Sequence, residues 1–363
     1  MRPSRLVSVA IIVLLLALVG QACGGAEPAP PPSPTPTPST SPTWTPRPPT
    51  PTPTPSAAAS PTLAPPIPTA GVVGSCNDPY PAGADIVSTP GEPILLRPLG
   101  APPALSQYGF AVPTSDEALA DVVDAVLGNE AAHFALVIKN LSDGSGVVLA
   151  PNREFYAASL YKTWVMLEAF NQQQAGLLDW AERYTVSEHY ETHGLNPGEL
   201  QACDVVTLQS MLERALGRSD NVAANLLLDR VGGGNVNRAL RSLGLARSGF
   251  YSSGTMPTTA AEMALFLEAI YGGAAVNEAA SWQMLELLKT ESVDNRIPAL
   301  LPAGTAVAHK TGNWENATHD AGIVFSPQAT YVIVVLTDYG YADGGAALIA
   351  ELSRAAYDYY NGG

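Results

Sequence analysis

Strand-forming runs lie at the two ends of the last stretch of about 250 residues and helical runs fill the middle, so a sheet here must be assembled from segments remote in sequence. Residues 134–139 and 146–149 read as strands joined by Asp143-Gly144, a hairpin signal. Residues 306–310, 322–325 and 331–337 read as strands at the far end. Helices are expected over residues 115–127 and 346–359. The middle is helical, with apolar spacing in Leu160, Trp164 and Leu167 and again in Leu208, Met211, Leu212 and Ala215, where Gly217 ends the run. The expected class is α/β in the α+β sense, with one sheet contributed by both ends and a helical lobe between. No internal repeat is visible.

Ahead of residue 115 the chain has little to bury. Arg2 and Arg5 precede an apolar run over residues 6–19, shorter than the roughly 20 residues a spanning helix needs, so residues 1–22 read as a cleaved export signal. Gly20-Gln21-Ala22-Cys23 resembles a bacterial lipoprotein cleavage site, in which the new N-terminal cysteine carries lipid. Gly20 stands where leucine is usual, and the same residues suit ordinary signal peptidase, so lipid anchoring to a membrane through Cys23 and plain secretion both stay open. Residues 23–75 combine that cysteine with a Pro/Thr-rich disordered tether, residues 76–114 are an extension, and residues 115–363 are the folded domain. Polyproline II rises about 3.1 Å per residue, which lets such a tether reach on the order of 100 Å; a linker that positions nothing fits the residues equally.

Lipidation of Cys23 leaves Cys76 and Cys203 as an even pair, for a disulfide in an oxidising compartment or as two separate buried thiols. The net charge of −15, without any Lys/Arg cluster, argues against nucleic acid as a partner. The five histidines show no zinc-type spacing and no glycine loop could cradle phosphate, so neither metal nor cofactor is expected. A monomer is expected.

Three short motifs occur in one order: Ser159-Leu160-Tyr161-Lys162, Ser219-Asp220-Asn221 and Lys310-Thr311-Gly312. Singly each has a plain reading, as a helix N-cap, an interhelix turn and a strand end. Together they supply what serine acyl transfer needs: a base for the hydroxyl, a proton for the leaving nitrogen and donors for the oxyanion. Ser159 and Lys162 are three apart on a helix, so they share a face and the amine can approach the hydroxyl. Lys162 can act as a base only when neutral, a state favoured by burial and by a second cation nearby.

The order and content of these motifs resemble the penicillin-recognising serine enzymes, the class A β-lactamases and penicillin-binding proteins, over roughly residues 115–361. Ala223-Ala224-Asn225-Leu226-Leu227-Leu228 and Thr255-Met256-Pro257-Thr258-Thr259 extend the match. The resemblance implies a β-lactamase/transpeptidase-like fold with an antiparallel sheet, and a β-lactam or a peptidoglycan stem peptide as substrate. It implies Ser159 as nucleophile, Lys162 as base with Lys310 as the neighbouring cation, and Ser219 as the proton shuttle to the leaving nitrogen. Asn221 would orient Lys162 and bond the substrate amide, and Lys310 with Thr311 would bind its carboxylate. Gly312 would let substrate lie along the strand edge, and the N–H groups of Asn313 and Ser159 would form the oxyanion hole.

Two departures stand out. Class A enzymes deacylate with a glutamate in a Glu-x-x-Leu-Asn stretch; residues 244–254 here contain no acidic residue. They also carry an arginine on the strand after Lys-Thr-Gly, where this chain has Ala321, preceded by His319-Asp320 that either contribute to substrate grip or form a surface turn. His309 is expected on the opposite strand face in a structural role. The loop Glu188-His189-Tyr190-Glu191-Thr192-His193 falls where the family has an aromatic wall, and Glu191 or His193 is a candidate for replacing the missing glutamate, against a merely solvated loop. Three readings follow: an exported hydrolase of the class A β-lactamase-like family that opens and hydrolyses lactams, a penicillin-binding protein or D,D-peptidase that releases them slowly, or a non-catalytic peptidoglycan-binding module.

Overall fold

The computed structural model describes residues 72–78, 112–191, 198–252, 254–340 and 344–362. The export signal, Cys23, His193 and nearly all of the tether lie outside them. In chain order the elements are β1 (Val72–Val73), β2 (Thr114–Ser115), α1 (Glu117–Leu127), β3 (Phe134–Asn140), β4 (Ser145–Leu149), β5 (Glu154–Tyr156), α2 (Tyr161–Gln174) and β6 (Arg183–Thr185). There follow α3 (Glu188–Glu191), β7 (Val205–Thr207), α4 (Leu208–Gly217), α5 (Asn221–Val231), α6 (Gly233–Ser242), β8 (Pro257–Thr259) and α7 (Ala260–Tyr271). The chain closes with α8 (Glu278–Leu288), β9 (Ala306–Trp314), β10 (Ala317–Phe325), β11 (Thr330–Thr337) and α9 (Gly345–Asn361).

The main sheet runs β2-β4-β3-β11-β10-β9, so N-terminal and C-terminal strands do meet, at β3 against β11. Every neighbour is antiparallel except the short β2–β4 pair. Both faces are covered, which explains why β11 reads as an unbroken apolar run. Tyr331, Ile333 and Val335 pack with Leu119, Val123, Ile349 and Leu352 of α1 and α9, while Val332, Val334 and Leu336 join the core of the helical lobe. Side chains at the N-caps start the lobe helices: Thr207 accepts from Ser210 N, Asp220 from Ala223 N and Thr259 from Glu262 N, each cap contributing about 1 kcal/mol.

The structure departs from the sequence reading in three places. β9 and β10 run further than expected, through Lys310-Thr311-Gly312 and through His319-Asp320. These polar residues are buried by pairing with one another, so apolar alternation cannot reveal them. Val72–Val73, assigned to the tether, is instead a strand paired in parallel with β6. Close by, Cys76 and Cys203 form a disulfide with Cα atoms 4.7 Å apart, which fixes that strand to the loop before β7.

Candidate active site

β5 enters the nucleophile turn, where Ala157 N donates to Met256 O (2.7 Å) and a single 3₁₀ turn, Ala158–Leu160, precedes α2. Ala158 adopts φ 47° and Ser219 φ 57°, left-handed conformations that cost a non-glycine residue on the order of 1–3 kcal/mol and that sit here at the two motif serines. Ser159, Ser219, Asn221, Thr311 and Asn313 line one cleft of about 440 Å³, together with Tyr156, Tyr161, Arg296 and Trp314. Lys162 and Lys310 are buried behind it. Gly312 also lies behind it: a Cβ there would stand 3.0 Å from Ala157 O and 3.4 Å from Ala158 Cβ. Its bare backbone lets β9 press against the nucleophile turn, a different reason for glycine from the substrate clearance expected.

The Lys162 amine donates to Ser219 O (2.6 Å), Ser219 Oγ (3.1 Å) and Asn221 Oδ1 (2.8 Å). Burial and then the Lys310 charge pull its pKa down to about 7, opposed by Glu199, Asp220 and Glu291. Three acceptors take all three N–H bonds of the ammonium, and losing a proton gives up one of these bonds and frees a lone pair. The second motif is braced from below. Asp220 accepts from Ala223 N, Leu200 N (3.1 Å) and Arg214 Nε (2.8 Å), and both N and Nδ2 of Asn221 donate to Glu199 Oε1 at 2.8 Å.

Lys310 is held by a buried ion pair with Glu291, a residue between α8 and β9 that no sequence motif marked. Thr311 N and Oγ1 approach the same Glu291 oxygen at 3.4 Å. Ala321 lies opposite Lys310 in register, and an arginine from another segment, Arg296, reaches the cleft lining. Arg296 donates to Gly312 O (3.1 Å), His319 O and Asn313 Oδ1, on the cleft side of β9.

His319-Asp320 is neither a surface turn nor a substrate grip. His319 is wholly buried, its Nε2 bonding Tyr156 O (2.9 Å) and its Nδ1 accepting from Thr337 N (3.2 Å), and burial lowers its pKa to about 4. Asp320 receives His309 Nδ1 (2.9 Å) and Ile297 N (3.1 Å), which anchors the segment bearing Arg296. Burial disfavours charge on His309, yet Asp320 outweighs it and raises the pKa, and the buried pair ties β9 to β10.

Where the missing glutamate would be sought, Phe250 packs edge-on against Tyr161 (5.8 Å) and Trp164 (5.9 Å) of α2. Asn237 clamps it through Phe250 O (2.7 Å) and Phe250 N (2.8 Å). None of the described residues lining the cleft carries a carboxylate. Tyr190, in the loop expected as an aromatic wall, turns inward and donates to Asp229; the Glu191 side chain and His193 lie outside the described residues. Among the described residues no cluster of three or more His, Cys, Asp or Glu could hold a metal ion, and no helix is long and apolar enough to cross a membrane.

Fold and cleft together define a serine β-lactamase-like hydrolase. The sequence profile of the Beta-lactamase enzyme family matches residues 117–360, and the chain belongs to that family. Extended-spectrum beta-lactamase PER-1 of Pseudomonas aeruginosa is 23% identical over 283 residues, covering 70% of this chain and 91% of that protein. Carbapenem-hydrolyzing beta-lactamase KPC of Klebsiella oxytoca is 30% identical over 249 residues, 60% of this chain and 81% of that one. Among solved structures PBP-A matches with TM-score 0.64 and 22% identity over 69% of this chain and 99% of its own, and a PBP-A mutant has been solved as an acyl-enzyme complex with penicillin G.

Proposed function

We propose that the protein is acylated at Ser159 by β-lactams, or by the D-Ala-D-Ala-like peptides they mimic, and that the acyl-enzyme then hydrolyses slowly. The observation that carries this is the meeting of Ser159 and Ser219 in one cleft with the buried Lys162 amine bonded to Ser219 Oγ and Asn221 Oδ1 behind them, where burial and Lys310 favour its neutral form. In acylation Ser159 Oγ attacks the lactam carbonyl and its proton passes to neutral Lys162. Ser219 relays that proton to the ring nitrogen as the C–N bond breaks, while the N–H groups of Ser159 and Asn313 hold the oxyanion. Arg296 and Thr311 face the substrate carboxylate. Deacylation needs a base for water, and the described lining offers no carboxylate. This favours the penicillin-binding reading over fast lactam turnover, and PBP-A is a structural neighbour in keeping with it. A non-catalytic module would have no use for an amine held near neutrality beside Ser159.

Incubation with benzylpenicillin, following intact mass and lactam consumption together, tests the reading. A lasting adduct of one penicillin, absent in Ser159→Ala, is expected with lactam loss near stoichiometric. Rapid consumption without adduct would make the protein a fast β-lactamase, and neither adduct nor consumption would end the acylation reading.

We further infer an exported protein, anchored by lipid at Cys23 and carried on the residue 23–75 tether, with the catalytic domain beginning near residue 115. The Cys76–Cys203 disulfide suits an oxidising compartment. Cys23→Ser should move the protein from the membrane fraction to the soluble fraction; unchanged partitioning would refute the anchor.

A further inference from the structure

We propose that Glu199 is a positioning residue for the base: its carboxylate fixes which way the Asn221 amide faces and so holds the Lys162 amine in place. The proposal rests on Lys162 acting as base for Ser159. An asparagine amide has a donor end and an acceptor end of nearly equal shape, so its orientation is set by its partners. Here Glu199 Oε1 accepts from Asn221 Nδ2 and from Asn221 N, both at 2.8 Å, which leaves Oδ1 pointing to Lys162 Nζ at 2.8 Å. With the amide reversed, an NH₂ group would meet the ammonium donor to donor, or would claim the lone pair of the neutral amine that Ser159 needs.

The segment bearing Glu199 is fastened on both sides to the same motif. Arg214 Nη2 donates to Gly198 O (2.7 Å), Leu200 N donates to Asp220 Oδ2 (3.1 Å), and Arg214 Nε joins that same Asp220 oxygen (2.8 Å). Further along, Cys203 is tied to Cys76 and Cys203 N to Val186 O. Glu199 is thus presented on a braced loop.

Its charge also acts on the base. Lys162 is faced by Lys310 from β9, Glu199 from the loop before β7, Asp220 from the cap of α5 and Glu291 from the segment after α8. Burial and Lys310 favour the neutral amine, and Glu199 leads the groups favouring the ammonium. Removing the Glu199 charge therefore moves the midpoint down from about 7.

The test is the acylation rate of the full-length protein by benzylpenicillin across pH in wild type, Glu199→Gln, Glu199→Ala and, as a surface control, Glu286→Gln. Glu199→Gln keeps an oxygen for Asn221 and removes the charge: its midpoint falls, so one pH unit below the wild-type midpoint it retains a larger fraction of its own plateau. Glu199→Ala lets the amide turn and lowers the plateau about tenfold or more, with glutamine restoring most of the loss. The control changes neither. A wild-type midpoint in both Glu199 variants, with rates that merely track their folded fraction, would overturn the proposal. If wild type is not acylated at all, the functional reading fails on its own. Titration of the Lys162 Cε by ¹³C NMR in lysine-labelled protein then decides: a midpoint lower in Glu199→Gln supports the role of Glu199, and an unchanged one refutes it.

Discussion

The two walls of the cleft are unlike. On one, Lys162, Ser219, Asn221 and Glu199 form a continuous hydrogen-bonded array behind the nucleophile. On the other, the loop after α6 gives Met256 to the lining and packs the buried Phe250 against Tyr161 and Trp164, with no acid among its described residues. On the proposed reading the first wall carries the base and the proton relay for loading the serine, and the second offers no carboxylate for unloading it.

The contrast can be broken from the loading side first. Lys162→Arg keeps a cation but can never offer a lone pair, and acylation should fall by about 100-fold to 10,000-fold in stopped-flow measurements with a chromogenic lactam. Acylation at the wild-type rate would remove Lys162 from the mechanism. From the other side, Met256→Glu places a carboxylate in the cleft lining and should shorten the life of the adduct about tenfold or more, whereas Met256→Ala, which only empties space, should not. Equal acceleration by both would mean that bulk, not the absence of a base, sets the adduct's lifetime.

The pH dependence sharpens the same contrast. Because only neutral Lys162 can take the Ser159 proton, the acylation rate should rise through a single ionisation near 7 and drop about tenfold for each unit below it. Stability carries the matching sign. The folded pKa of about 7 lies below the ordinary lysine value of 10.5, so the unfolded chain binds more protons between the two, and stability gains as pH rises through that window. Denaturant midpoints compared with a Lys162→Met variant would show it, the variant lacking that slope. The smallest effect belongs to the surface: Arg247→Ala breaks a largely exposed pair with Glu154 and should change stability by no more than about 0.5 kcal/mol and the rates not at all.

Much of the fold was legible in the sequence because its signals are local. The apolar runs of β3 and β11, the Asp143-Gly144 turn and the three motifs each declare themselves within a few residues. The gap in residues 244–254 was equally visible, since an absent acid needs no structure to be noticed. Glu199, Glu291 and Arg296 were missed because their roles arise only when distant segments fold together, and no spacing to Ser159 marks them. His319-Asp320 was misread for a related reason. Two polar neighbours look like a turn until the partners that satisfy them, Tyr156 O and His309, are brought alongside by the sheet.

The most direct measurement is the titration of Lys162 itself, followed by ¹³C NMR of lysine-labelled protein with Lys162→Met used to assign the resonance. A midpoint near 7 is predicted, with the amine largely neutral just above it. A lysine that stays an ammonium to pH 10 would contradict the account, because Ser159 would then have no base beside it.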